Sequence, residues 1–278
     1  MHFEAIITGT GIPLADGERA GAGVLVQRGD LRLQFDAGRG TVMRLAAVGV
    51  RPNMLTAVFI THHHSDHVLS LDDLALTRWI EWSDDPLPVI APEGPATRFA
   101  RRCLEPWDDD SDARAHHMSR ETRPGIEVSG FEAPRDPAVV WEGEGVSVSA
   151  MAVRHQPLEP AVAYRIDAPE GSLVISGDTR VCEEVERLAT GADVLVHEVA
   201  LTKILPGSPW APLLEYHADS VELGAMAARA GVSTLVFTHY VPPPRVPEDL
   251  ERFVSDVREG GFTGDVVTAS DLESITIG

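Results

Sequence analysis

Five short apolar runs, far apart in the chain, each end in a histidine or a carboxylate. Ala57 to Thr61 leads into His62, Ser149 to Arg154 into His155, Leu173 to Gly177 into Asp178, Val194 to Val196 into His197 and Glu198, and Leu235 to Thr238 into His239. Runs of this length, rich in β-branched residues and bounded by glycine, proline and aspartate, read as strands. Open α/β sheets gather their ligand sites at the carboxyl ends of the strands. One histidine beside one strand is most often a hydrogen-bonded surface or core residue. Repeated exits of the same kind point instead to neighbouring strands whose polar ends converge.

The remaining pattern agrees with an α/β layered fold whose sheets are covered by helices. Further strands are expected at Phe3 to Ile7, Gly23 to Gln27, Leu31 to Phe35, Val146 to Val153, Ala161 to Ile166 and Asp265 to Thr268. Helical periodicity marks Thr41 to Val48, Arg180 to Ala189, Ser220 to Ala230 and Glu248 to Arg258. It also marks Leu71 to Trp82, opened by Ser70 with Asp73 three residues on as a variant capping box. Trp79 and Trp82 fall at helical spacing and are expected in the core. Asp84 to Pro137, rich in proline and arginine, has weak periodicity and reads as an insertion or flexible edge. No internal repeat of fixed period is found. With 278 residues and 44% hydrophobic content, residues 1–278 can bury one large core and are expected to form a single domain.

Charge bears on partners. The 43 acids against 23 bases leave a net charge of -20, and the chain has a single lysine, Lys203. Such a surface repels polyanions, and no massed basic patch is apparent in the sequence for phosphates. The run Asp108-Asp109-Asp110 with Asp112 reads as solvated loop. No apolar stretch has the length of a membrane span, and the N-terminus lacks a signal-peptide pattern, so a cytoplasmic protein with no membrane partner is expected. Cys103 and Cys182 form no disulfide framework and no paired thiolate motif, and are expected to be small buried residues.

The segment THHHSDH, Thr61 to His67, concentrates the chemistry. His62, His64 and Asp66 stand at alternate positions, so an extended backbone aims them the same way, reaches His67 in the turn after, and turns His63 aside. Histidine nitrogens with carboxylate oxygens and no cysteine suit zinc or another borderline divalent ion; the bland alternative is a polar loop.

HHHSDH resembles the His-x-His-x-Asp-His signature of the metallo-β-lactamase superfamily, and the resemblance spans nearly the whole chain. Gly9-Thr10-Gly11 with Pro13, and FDAGRG from Phe35 to Gly40, look like the opening of its ribonuclease Z and arylsulfatase-like branch. Ser176 to Thr179, His197-Glu198, the His217-containing YHADS and Phe237 to His239 follow in the order that branch shows.

The resemblance implies an αββα sandwich of two packed mixed β-sheets flanked by helices, and a dinuclear metal-dependent hydrolase. One ion would take His62, His64 and His155; the second would take Asp66, His67 and His239; Asp178 would bridge them. Two divalent metal ions are implied, Zn2+ favoured and Mn2+ or Fe2+ admitted, with a bridging hydroxide as nucleophile. Asp66, His217 and Glu198 are the expected catalytic residues, His217 as proton donor or electrostatic stabiliser held by Glu198. On residues alone, His217 could instead contact the cap of the helix begun near Ser220. Asp36 resembles an acceptor that orients a metal-bound imidazole, with turn chemistry before Gly38 as its alternative. His2, His116 and His117 match nothing.

Members of this branch that process transfer RNA carry a protruding arm between the positions matching His155 and Asp178. Here that span is QPLEPAVAYRIDAPEGSLVISG, which two strands and a turn consume. With the negative charge, the missing arm leads to the expectation of a small-molecule ester substrate, phosphodiester or aryl sulfate before lactone, and not tRNA. Lys203 to Tyr216 reads as a pocket wall, with Trp210 against an apolar group and Lys203 near an anion, or as a contact of a homodimer. A metal-binding scaffold without turnover is the alternative from another class.

Overall fold

A computed structural model describes residues 2–201, 203, 207 and 211–278, with the backbone alone for Leu214. The apolar runs pair into two mixed sheets of seven strands. In the first, β1 (Phe3–Gly9), β2 (Gly23–Arg28) and β3 (Leu31–Phe35) are antiparallel, and β4 (Ala57–Phe59), β5 (Leu87–Pro92) and β6 (Ile126–Phe131) continue in parallel. The second repeats this plan. There β7 (Ala138–Gly143), β8 (Val146–Ala152), β9 (Val162–Ala168) and β10 (Gly171–Ile175) are antiparallel, then β11 (Val194–Ala200), β12 (Thr234–Val241) and β13 (Asp265–Thr268) run parallel. The last strand, β14 (Ser274–Thr276), returns to the first sheet beside β1.

Period-two alternation decides what fills the space between the sheets. Leu31, Leu33 and Phe35 of β3 face Val146, Val148 and Ala150 of β8 and Tyr164 of β9 across one cluster. Phe35 stacks on Phe59 with ring centroids 4.8 Å apart, and Tyr164 closes on both rings at 5.5 Å. Each fully buried side chain of this size contributes about 1.5–3 kcal/mol of transfer free energy.

Helices cover the two outer faces. On the first sheet lie α1 (Thr41–Ala47), the short turn α2 (Ser65–Val68), α3 (Leu71–Ile80) and α4 (Pro95–Ala100), through Leu45, Val68, Leu71, Leu74 and Ala96. After α5 (Asp108–His117) come α6 (Glu183–Ala189), α7 (Ser220–Ala230) and α8 (Pro247–Glu259), which cover the second sheet through Val185, Leu188, Leu223, Met226 and Phe253. The αββα sandwich expected from the resemblance is the observed fold.

Several local expectations need correction. The stretch from Asp84 to Pro137 is no irregular insertion: it holds β5, α4, α5 and β6. Its periodicity is weak because α5 buries only Ser111 and Ala115 and β6 is a half-exposed edge strand. The acidic run opens α5 rather than forming a loop, where carboxylates suit the positive helix end. The capping box of α3 does not form, because the Ser70 hydroxyl accepts instead from the Gly40 amide at 3.1 Å. Trp79 is in the core, but Trp82 lies beyond the end of α3 and is 70% exposed, with the Arg120 guanidinium over its ring.

Candidate metal centre

The strand exits meet at one end of the sandwich. The chain leaves β3 at Asp36, held at φ 56, and leaves β4 through Thr61 into His62. The extended backbone lasts only to His64; Asp66 and His67 then sit on the single turn α2, not on an alternating strand. His155 follows β8, and Asp178 follows β10 through Gly177. At Gly177, φ is 59 and a Cβ would lie 2.8 Å from Thr61 Cβ, so a side chain there would push the two exits apart. His239 lies within β12, not after it. The register against β11 shifts between Glu198 and Val199, leaving His239 as a bulge residue at φ 45 whose ring is re-aimed into the site. His197 and Glu198 also lie within β11, because the apolar run continues through Val199 and Ala200.

All seven residues expected as ligands come together. Ligand atoms of His62, His64, His155 and Asp178 lie within 4.8 Å of one another, as do those of Asp66, His67 and His239. His64 Nδ1 is 3.0 Å from Nε2 of both His62 and His155. Asp178 Oδ2 reaches the second group, 3.4 Å from His67 Nε2 and 3.2 Å from His239 Nε2. Among the described residues, the buried His67 Nε2 and Asp66 Oδ1 have no hydrogen-bond partner, which is costly unless something else satisfies them. A divalent cation fits this donor set of imidazole nitrogen and carboxylate oxygen. His63 is turned away and packs on Phe99.

A further set of hydrogen bonds holds the rings. Asp36 accepts His67 Nδ1 at 2.7 Å and the Thr61 amide and hydroxyl at 2.8 Å, while the Thr61 hydroxyl lies 3.0 Å from His62 Nδ1. Each contact fixes one ring nitrogen and leaves the other aimed at the cluster. Thr61 went unnoticed in the sequence, where a threonine at a strand end carries no signal of its own.

Burial holds His62 well below the ordinary imidazole value and brings His64 down to about 4. His67 and His239 go the other way: burial opposes their charge, but Asp178 and Asp66, joined by Asp36 for His67, outweigh it and push both up. Burial also opposes the charge of Asp178, yet His239, His67 and His62 hold it well below the usual carboxylate range. The cluster is thus an anionic nest that protons neutralise, and a cation would compete with those protons.

Beside the cluster, His217 Nδ1 meets Glu198 Oε2 at 2.7 Å, and the other Glu198 oxygen accepts the Thr179 amide at 2.8 Å. Burial alone would depress His217, but Glu198, with Asp178 and Asp66 behind it, pushes it up to about 9. A ligand atom of His217 lies within 4.8 Å of those of Asp178 and His239. The cap of α7 is made by Asp219, which accepts the amides of Val221 and Glu222, so His217 is not a capping residue. These groups open into a cavity of about 230 Å³ walled by Ile12, Pro13, Leu14, Tyr216 and Val241. Lys203 does face anions, but they are Glu259 and Asp256 of α8, at 2.6 and 3.4 Å. Trp210 lies outside the described residues.

A family model described as the beta-lactamase superfamily domain matches residues 32–240. A Mycobacterium bovis protein named ribonuclease Z is 37% identical over 282 residues, covering 99% of this chain and 98% of its own length. The metallo-beta-lactamase fold protein YhfI from Bacillus subtilis superimposes with a TM-score of 0.76 at 19% identity, over 99% of this chain and 100% of that one. Human tRNase Z, short form, does so with a TM-score of 0.71 at 20% identity, over 99% of both chains.

The full-length likeness to ribonuclease Z overturns the expectation of a small-molecule ester partner with tRNA set aside. Net charge sums a whole surface, whereas a phosphate responds to charges within a screening length of about 8–10 Å. Much of the acid is locally neutralised, as Glu170 is by Arg28 and Asp271 by Arg44. The span between His155 and Asp178 is indeed taken up largely by β9 and β10, but that does not choose the substrate.

Proposed function

The chain belongs to the metallo-β-lactamase superfamily, in its ribonuclease Z branch, and on that premise we propose that it hydrolyses a phosphodiester bond of RNA, with tRNA as the RNA class. Residues 1–278 act as one hydrolase domain, and an RNA substrate sets the activity in the cytoplasm. The observation that carries this reading is the 37% identity to a protein named ribonuclease Z across essentially both whole chains.

His62, His64 and His155 would hold one divalent ion, Asp66, His67 and His239 a second, with Asp178 shared; zinc suits these donors best. Bound there, the ions supply Lewis-acid activation of water and of a phosphoryl oxygen. The chain's own residues do the rest. Asp36 and Thr61 fix the tautomers and directions of His67 and His62. Asp66, whose Oδ1 has no partner among the described residues, orients the attacking water. His217, kept protonated at neutral pH by Glu198, gives its proton to the departing ribose oxygen, and Glu198 stabilises the imidazolium between transfers. The apolar wall of Ile12, Leu14 and Val241 limits water and strengthens these interactions.

The test is cleavage of a tRNA carrying a 3′ extension by metal-replete protein. Expected are a discrete cut in that RNA and, for His217→Ala, metal content near wild type with kcat lowered about 10²–10⁴-fold. An intact RNA alongside turnover of a small aryl phosphodiester would refute the substrate; loss of metal in His217→Ala would refute the division of labour.

A further inference from the structure

Arg19, Arg39 and Arg44 line one cavity of about 470 Å³ next to the metal centre. Three arginines around one hollow are unexpected on a chain of net charge -20. Two are fixed: Arg19 donates to the Thr10 hydroxyl at 2.7 Å and lies over the Tyr240 ring, and Arg44 pairs with Asp271 at 2.9 Å. Arg39 is exposed, and its side chain has no hydrogen bond or ion pair among the described residues. The carboxylate in the lining, Asp16, is engaged by the amides of Glu18 and Arg19 at 2.9 and 3.3 Å and lies 3.7 Å from Arg245. Asp271 is likewise engaged, by Thr10 and by the Ala20 amide.

The hollow adjoins the cluster. A Cβ at Gly21 would fall 2.7 Å from the Arg39 amide and 2.8 Å from the Asp66 carbonyl, so the backbone around Arg39 lies directly against the turn that carries Asp66 and His67. The loop that walls the metal cavity with Ile12, Pro13 and Leu14 continues as Ala15, Asp16 and Gly17 along the arginine cavity, giving the two hollows a shared wall.

We propose that this cavity is a phosphate subsite for the RNA backbone, taking a phosphate near the bond to be cut, with Arg39 as its clamp, Arg19 as fixed charge beside it and Arg44, paired with Asp271, bracing the wall. It rests on the RNA reading above and deepens it. Guanidinium forks match phosphate oxygens in pairs, and a side chain free of internal partners loses none on engaging them. Because the contact is to backbone phosphate, it sets affinity and salt dependence, not sequence preference.

Mature tRNA, which carries no extension to be cut, serves as the binding probe for the metal-replete protein across a salt series. Arg39→Ala is expected to weaken binding about fivefold at low salt and to reduce the slope of log affinity against log salt by about 0.7–0.9, one phosphate contact. Arg39→Lys restores the slope, and Arg187→Ala, an exposed arginine on α6 paired with Asp136, leaves it at the wild-type value. With the extended RNA, KM rises in Arg39→Ala while kcat changes little. A wild-type protein that binds and cuts RNA while Arg39→Ala and Arg39→Glu keep the wild-type slope overturns this subsite alone. A wild-type protein that binds no RNA overturns the subsite and the RNA reading together.

Discussion

Asp36 stands at φ 56, a left-handed conformation that an aspartate adopts at some cost, with three donors converging on its carboxylate. Such a backbone persists where the surroundings over-determine it. Here the Thr61 amide, the Thr61 hydroxyl and His67 do so, and the carboxylate in turn decides which His67 nitrogen faces the cluster. Asp36→Asn keeps the shape but removes the charge that aligns the ring. Metal affinity measured by chelator competition is expected to fall about 10–100-fold, with activity recovered at raised metal concentration. The histidines were legible because four of them crowd one heptad of sequence, and Asp36 because it precedes a glycine-rich turn in a familiar motif. The bulge that re-aims His239 was not legible: it arises from pairing with β11, which no local pattern around Phe237 to His239 encodes.

At the scale of elements, what could be read was a clear apolar run or helical period bounded by turn residues. Leu31 to Phe35, Asp265 to Thr268 and Ser220 to Ala230 match the observed bounds at both ends. The edge strands β6 and β7 and the polar helix α5 escaped because solvent, not packing, sets their composition. Helix contacts are equally invisible in one dimension. α7 and α8 approach closely at Gly224, where a Cβ would run into the Val257 carbonyl, and at Gly260, where it would meet Val221 and Ala225. Gly224→Ala therefore overpacks the seam, despite alanine's better helix propensity. A loss of about 1–3 kcal/mol is expected in denaturant unfolding; a gain would show that the helices can part without penalty.

Over the whole molecule, the two sheets share a strand plan although the sequence carries no repeat of fixed period, since pairing order leaves side-chain identity free. One tie between them is the fork from Arg28 of β2 to Glu170 in the β9–β10 turn, at 2.7 and 3.0 Å. Arg28 holds Glu170 down to about 2, against an ordinary value of 4.5. A depressed carboxylate gives its full stabilisation above about pH 4.5 and loses it as pH falls towards 2. The stability gap between wild type and Glu170→Gln should therefore be constant near neutral pH and close in that acid window, as followed by thermal melts. The ligands also straddle both sheets. Stripping the metal with a chelator is expected to lower Tm by roughly 8–16 °C for each ion removed, relative to protein at a free metal concentration about a thousandfold above the dissociation constant, reversibly on adding zinc.

That straddling has a consequence for how the protein matures during translation. His62, His64, Asp66 and His67 emerge from the ribosome early, His155 and Asp178 midway, and His239 only after β11 and α7 have been synthesised. A nascent chain can assemble the set for one cation, His62, His64, His155 and Asp178, once Asp178 is made, but the set with Asp66 and His67 stays incomplete until His239 has been laid down. Filling of the second position is therefore a late event, and a fully charged site certifies that both halves have met.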